Sequence, residues 1–498
     1  MRNMAMLATV GVLAMFGCES GTSVGGGVGG DDTTSGGTDT GSTADADTDT
    51  DTDTDTDSDT DSDTDSDVNL DGGTTDDCVD KDSDGWCAPL DCNDSDVNVN
   101  PNQIENETNG IDDDCDGETD EDDGVTTDTN SNGCPANAIS YIWIANTGDP
   151  DASLPDEGTL SKVETATGIE VGRYITSPQG ADGDPSRTSV NLHGDMVVTN
   201  RSPAYGKSSV TKFAADTDDC IDRDSDSVIE TSIGPNDVLP WGEDECMIWN
   251  TPLPGPLGAN SACGARATAW DGQENPDTGK GGHVFIGAMD TRKIFKIDGD
   301  TGAILDTGTA PASVPPYGGA VDSQGNFWIV AMTCTVGLCN VARVKMSDLT
   351  SQVFKVHCGY GISVDSKGRV WTAGLNCVSR LDPNVTPAKN VWANVLGFNR
   401  GVAVDGNGSV WAAGTSGNLV QVDEDTLQIK HNKGLGKAEM VGVAVDCDGY
   451  VWVVSQGGSE AYRVDPVTYQ KMTVPIGPHP YTYSDMTGMQ LRNAVQVE

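Results

Sequence analysis

Aspartates spaced two residues apart and closed by a glycine carry the clearest chemistry in this 498-residue sequence. Calcium takes six to eight hard oxygen ligands, and a loop with Asp at positions 1, 3 and 5, Gly at 6 and a carboxylate at 12 supplies them. Asp80, Asp82, Asp84 and Gly85 meet the first four requirements, and Asp91 falls at position 12. A second match runs Asp112, Asp114, Asp116 and Gly117, with Asp120 at position 9 and Asp123 at position 12. Asp94 and Asp96 lie between the two loops. Because this stretch has no large apolar cluster to stabilise it, the paired loops predict at least two bound calcium ions. A third acidic run, Asp222, Asp224, Asp226 and Glu230, departs from the pattern, with Ser227 in place of the glycine and Ile233 at position 12. It reads equally as a calcium site or as solvated charge.

The stretch DKDSDGWCAPLDCNDSDVNVNPNQIE, followed by NGIDDDCDGETD, resembles the metal-binding motif of bacterial surface proteins named after the copper-associated protein MopE. Ser83 before Asp84 and Asn109 depart from that pattern, and neither removes a necessary oxygen. Copper fits less well than calcium, since the stretch holds neither His nor Met and its thiols would be oxidised outside a cell. Cys78 with Cys87 and Cys92 with Cys115 are the expected disulfides.

The elements that follow are set by an internal repeat. GGAVDSQGNFWIVAM from Gly318, GISVDSKGRVWTAGL from Gly361, GVAVDGNGSVWAAGT from Gly401 and GVAVDCDGYVWVVSQ from Gly442 share one pattern. Their turn residues Asp322, Asp365, Asp405 and Asp446 lie 43, 40 and 41 residues apart. A period near 40 with about four strands per unit is a propeller blade. Weaker copies begin near Ser140, Ser186 and Gly264, and the C-terminal DMTGMQLRNAV offers a lone first strand. The expectation is an all-β, seven-bladed β-propeller over residues 134–498, with a Cys-bracketed insertion at about 214–263. Thr487 to Arg492 would be the inner strand that completes the blade beginning at Ser140.

This half resembles the NHL-type and virginiamycin B lyase-like propellers, a likeness that implies fold more than activity. The lyase relatives need a His and a Glu converging at the channel mouth, and His357 with Glu439 is the nearest candidate for a catalytic pair. His193 and His431 read as turn or surface residues. The residue five before each turn Asp should begin the innermost strand and face the channel, which gives Ser186, Arg266, Tyr317, Tyr360, Arg400, Val441 and Thr487, with Arg187 beside the first. Arg187, Arg266, Tyr317, Tyr360 and Arg400 would together favour an anionic small molecule or a sugar acid as ligand. The alternative is that the arginines pair with neighbouring aspartates and brace the channel.

Charge is uneven along the chain. Residues 1–133 hold 37 acidic and two basic residues, against a net charge of −51 for the whole. Such self-repulsion opposes binding to nucleic acid and makes divalent cations the natural counter-charges. Residues 19–77, with Asp at every odd position from 45 to 67, cannot bury apolar surface and read as a disordered, extended stalk ahead of the metal module at 78–123. Met1-Arg2-Asn3, an apolar run from Met4 to Phe16 and Gly17-Cys18 resemble a bacterial lipoprotein signal, with Cys18 as the lipid anchor; ordinary signal cleavage is the alternative. Fourteen cysteines in an exported chain predict disulfides. No G-x-S-x-G, H-E-x-x-H or phosphate-loop motif is present. The combined expectation is a monomeric outer-membrane or cell-surface lipoprotein that touches the membrane through its N-terminal lipid only. Calcium would be its cofactor, and its propeller face would bind a protein or glycan ligand; a propeller lyase or lactone hydrolase is the rival.

Overall fold

Short runs of Val, Ile, Ala and aromatic residues, each closed by an Asp or Asn turn, favour antiparallel strands, because branched and flat side chains pack well on a pleated sheet. The computed structural model describes residues 140–147, 158–201, 208–254, 264–332 and 339–495, and, nearer the N-terminus, 81–82, 92–93, 95–99, 109–112, 115 and 119. The chain divides into two units near residue 125. The C-terminal unit is an all-β propeller.

Its first blade holds β1 (Tyr141–Asn146), β2 (Thr159–Glu164) and β3 (Glu170–Ile175). The second holds β4 (Pro185–Val190), β5 (Met196–Asn200), β6 (Ser209–Phe213) and β7 (Met247–Pro252). The third is built from β8 (Ala265–Trp270), β9 (His283–Ala288), β10 (Lys293–Asp298) and β11 (Ile304–Thr309), the fourth from β12 (Gly318–Asp322), β13 (Asn326–Val330), β14 (Cys339–Lys345) and β15 (Ser351–Val356). The fifth has six strands: β16 (Gly361–Val364), β17 (Val370–Asp382), β18 (Lys389–Val404), β19 (Ser409–Gly414), β20 (Asn418–Asp423) and β21 (Ile429–Gly434). The sixth comprises β22 (Met440–Val445), β23 (Val451–Ser455), β24 (Glu460–Val464) and β25 (Lys471–Pro475).

The strands therefore form six hydrogen-bonded sheets, and the expectation of seven blades is corrected to six. The cause is β18. Its residues 389–398 pair with β17 as the third strand of the repeat from Gly361, and its residues 399–404 pair with β19 as the inner strand of the repeat from Gly401. A sequence period counts turns, and it does not register that the chain between two of them runs on without a break.

One local device recurs in the four strong repeats. The turn aspartate accepts the indole Nε1–H of the tryptophan six residues on: Trp328 to Asp322 at 2.7 Å, Trp371 to Asp365 at 2.8 Å, Trp411 to Asp405 at 2.9 Å and Trp452 to Asp446 at 2.8 Å. The other carboxylate oxygen accepts turn N–H groups, as from Asn407 and Ser409 to Asp405, both at 2.8 Å. All four tryptophans are fully buried, so each aspartate satisfies a polar group that would otherwise be stranded in the core. The glycine that opens each repeat has a separate cause. A Cβ on Gly361 would meet the backbone O of Arg400 at 2.2 Å, and one on Gly442 the O of Thr482 at 2.3 Å. Inner strands of successive repeats pass too closely around the axis for any side chain there.

The contact between Gly442 and Thr482 locates the closing segment, which meets β1 through an isolated bridge at Pro480. Residues 479–486 run beside β1, with Tyr481 N–H donating to Ala145 O at 2.7 Å and Trp143 N–H to Met486 O at 2.9 Å. The ends of the propeller are therefore neighbours, but Thr487 to Arg492 is not the inner strand that the sequence suggested. It is a turn leading into helix α1 (Met489–Val495). Asp485 fixes that turn, accepting N–H groups from Gly488 at 2.8 Å and Leu491 at 3.0 Å. The helix lies across the ends of several blades: Gln490 Nε2 donates to Ile362 O at 3.0 Å and Asn493 Nδ2 to Val404 O at 3.1 Å. Among the described residues no helix is long and apolar enough to cross a membrane.

Two outcomes are expected from this architecture. Asp405→Ala strands the Trp411 indole and two turn N–H groups, and should cost roughly 2 kcal/mol, read as a lower urea midpoint at unchanged slope. Asp405→Asn, which keeps an acceptor, should lose less, and a variant unfolding with the parent would show that the bond is dispensable. Burial pushes the Asp485 carboxyl from 3.8 up to about 6. Between these values the folded chain keeps a proton that the unfolded chain has released, so stability falls as pH rises from about 4 to 6. Relative to Asp485→Asn, the parent should lose about 3 kcal/mol across that window. A pH-independent difference would mean that the N–H donors hold the group ionised.

Candidate functional site

The third acidic run lies in an insertion between β6 and β7, where the sequence offered two equal readings. Its base is closed by a disulfide joining Cys220 to Cys246, with Cα atoms 4.3 Å apart. The bracketing cysteine is thus Cys246, and Cys263 lies outside the described residues. Within the loop, Asp222 accepts N–H groups from Ser225 at 2.6 Å and Ser227 at 3.0 Å, and Asp226 accepts from Val228 at 2.8 Å. Ser227 adopts the left-handed backbone, φ 75°, that favours glycine at this position. The serine takes the glycine's conformation, so the substitution bends the loop no differently.

A carboxylate that could stand in for the missing twelfth ligand comes from elsewhere in the chain. Glu245 N–H donates to Glu230 O at 2.9 Å and Glu230 N–H returns to the Glu245 carboxylate at 3.2 Å, a reciprocal pair that sets the two acids side by side. Carboxylate oxygens of Asp222, Asp224 and Asp226 lie within 4.8 Å of one another, and so do those of Asp224, Glu230 and Glu245. Asp224 belongs to both sets. Two carboxylate triplets that share Asp224, with no soft donor in either, could hold a hard cation such as calcium. Burial and the charges of Asp226 and Asp224 push the Glu230 carboxyl up, while the N–H of Arg223 holds Glu245 down. A cation relieves the like-charge repulsion that raises Glu230. Sequence reasoning missed Glu245; the signal was its place beside Cys246, since a disulfide to Cys220 brings its neighbours to the loop.

A further group stands nearby in sequence. His193 Nε2 lies 2.7 Å from Asp219 Oδ2, and ligand atoms of His193, Asp216 and Asp219 fall within 4.8 Å of one another. His193 is therefore a half-buried partner of an acid, more than the simple turn residue expected. His431 is buried and stacked on Tyr469, with ring centres 3.8 Å apart.

In the N-terminal unit, Asp82, Asp96 and Asp112 are described. Asp80, Asp84, Asp91, Asp94, Asp114, Asp116, Asp120 and Asp123 lie outside the described residues, as do Cys18, Cys78 and Cys87. The expected disulfide between Cys92 and Cys115 is present, with Cα atoms 5.4 Å apart. Side-chain oxygens of Asp82 and Asp112 are turned out of solvent. Asn109 accepts the N–H of Ile111 at 2.8 Å, so this departure from the motif shapes the turn. A third disulfide joins Cys358 to Cys377, and no cysteine among the described residues is free.

The channel candidates are placed on the propeller axis but buried, not displayed at an open rim. Arg187, Arg266, Tyr317 and Tyr360 are at most 3% exposed, and Arg400 is 7% exposed with Nη1 donating to Gln456 Oε1 at 3.1 Å. Tyr317 donates its hydroxyl to Tyr360 at 2.7 Å, and Tyr360 meets the hydroxyl of Tyr483 at 2.9 Å. Arg201, which the sequence reading passed over, pairs with Asp184 at 2.9 Å. Tyr481 and Tyr483 were missed as well, because the closing strand was placed one turn too late; the D-x-x-G from Asp485 to Gly488 marked its true end. Thr487, expected at the channel, bonds Val445 O beneath α1. His357 and Glu439 share no hydrogen bond or ion pair. His357 stacks on Trp392 with ring centres 3.7 Å apart, and Glu439 is exposed.

No curated protein matches the chain. Among solved structures, a streptogramin B lyase is similar at 15% identity and TM-score 0.38, over 45% of this chain and 73% of that one. Virginiamycin B lyase from Staphylococcus aureus is similar at 13% identity and TM-score 0.42, over 61% of this chain and 89% of that one. A catalytically inactive variant of the same enzyme with quinupristin gives 12% identity and TM-score 0.43, over 64% and 93%. Residues 91–121 match the family model Cu-binding_MopE, described as "Putative metal-binding motif".

Proposed function

We propose that this chain is a calcium-binding propeller of the cell envelope that serves as a binding scaffold for a protein or a glycan. A metal-binding motif and a β-propeller are present; the choice of calcium, the scaffold role and the location are our reading. The observation that carries it is the pair of carboxylate triplets, Asp222, Asp224 and Asp226 with Asp224, Glu230 and Glu245, which share Asp224 and come from two segments tied by a disulfide. Hard oxygen donors alone, in a loop with acids at positions 1, 3, 5 and 9, favour calcium over copper or zinc.

Disulfides at Cys92–Cys115, Cys220–Cys246 and Cys358–Cys377 support an oxidising compartment, in keeping with export and a lipid on Cys18. A surface for a partner is offered by the ribbon of β17 and β18, which carries Leu375, Trp392 and Leu396 at 46%, 50% and 75% exposure. Large apolar groups grouped on one exposed element are a feature of binding surfaces. The acidic N-terminal part would hold this surface away from the membrane, and the protein would work as a monomer.

Titration calorimetry of the full chain should show saturable calcium binding with more than one site. Glu245→Gln should lower the stoichiometry by one and leave the N-terminal sites intact. Chelation should lower the melting temperature and speed proteolysis between Cys220 and Cys246, since a ligand bound only by the folded state stabilises it. No heat at millimolar calcium would rule out the metal assignment.

A further inference from the structure

Arginine cannot shed its proton inside a protein, so a buried guanidinium needs a partner. Arg266 is wholly buried; its Nε, Nη1 and Nη2 meet no acceptor at full hydrogen-bond geometry, and the Tyr481 hydroxyl is its main electrostatic partner. Arg187 is 1% exposed; its Nη1 donates to the neighbouring Ser186 O at 3.1 Å, and its Nε finds no acceptor. Neither forms an ion pair, in contrast to Arg201, which the carboxylate of Asp184 neutralises. The bracing alternative, in which axial arginines pair with aspartates, therefore describes Arg201 and leaves Arg187 and Arg266 unexplained.

The two guanidinium groups flank the same rings. Arg187 Cζ stands 4.7 Å from the centre of Tyr317 and 3.9 Å from that of Tyr483. Arg266 Cζ stands 5.1 Å from Tyr317 and 5.6 Å from Tyr481. Aromatic faces offset part of the lost hydration of a cation, but they carry no net charge. Burial pushes the hydroxyls of Tyr317, Tyr360 and Tyr483 above the ordinary phenol range, which keeps these three neutral. Among the described residues no carboxylate pairs with either guanidinium.

We propose that the propeller axis binds a small anion held between Arg187 and Arg266 and walled by Tyr317, Tyr481 and Tyr483. The surrounding side chains are closed to solvent, which limits the ligand to a halide or an oxyanion of a few atoms, not the sugar acid that the sequence suggested. Guanidinium forks bind oxyanions through paired N–H groups and halides through single ones, so both sources share one chemistry. This site is separate from the carboxylate cluster and does not depend on the metal assignment.

The test uses the full chain exchanged into a buffer with a bulky organic anion, with ionic strength held constant. Melting temperature is followed against sodium bromide, chloride, formate and nitrate. At least one should raise it saturably, by about 3 to 5 °C at a hundredfold excess over Kd. A response to bromide and chloride identifies a halide, and a response to formate and nitrate identifies an oxyanion. Arg266→Met should abolish the response and, without anion, melt no lower than the parent. Should that variant not fold, crystals of the parent grown in the responding salt should show the anion between the two guanidinium groups. A parent insensitive to all four salts, an undiminished response in Arg266→Met, or an anion located elsewhere would overturn the proposal.

Discussion

The bond between a turn aspartate and a buried indole is the interaction on which the rest of the propeller depends. A tryptophan in each strong repeat brings the apolar surface that joins one sheet to the next, but its N–H cannot be left dry without cost. Asp322, Asp365, Asp405 and Asp446 each meet that need while holding the turn that starts the second strand. The same carboxylate therefore fixes both hairpin geometry and core packing. Arg369 and Arg463 add a charge to this arrangement by pairing with Asp365 and Asp446. With the turns fixed, inner strands can approach until only glycine fits between them, and the axis becomes narrow enough to bury arginines.

The repeat and the all-β class were legible because each rests on local spacing, and the expected disulfide of Cys92 with Cys115 is present. What failed was whatever spacing cannot express. The propeller has six blades and not seven because β18 is continuous through the point where the sequence pattern separates two repeats. The closing strand was misplaced because DMTGMQLR was read from its first apolar residue, while its aspartate ends a strand and does not begin one. Met489 and Leu491 are buried as expected of an ordered end, but on a helix.

The sites show the same division. Asp222, Asp224, Asp226 and Glu230 could be found from one loop, whereas Glu245 enters through a disulfide and a backbone exchange with Glu230. The channel positions came from counting back from each turn. Counting gave no measure of depth, so an open rim was inferred where the side chains are enclosed.

The first blade differs from the others in how it is made. Trp143 stands on β1 where the repeats carry their bonded tryptophan, yet its Nε1 has no partner, and Asp485, the aspartate that ends the adjoining strand, caps α1 instead. The blade joining the two termini thus lacks the lock that the strong repeats possess, and its innermost strand is the last of the propeller to be synthesised. Until residue 486 exists, β1 presents an open edge. A chain that lacks this segment keeps an unpaired edge, which is open to aggregation or proteolysis.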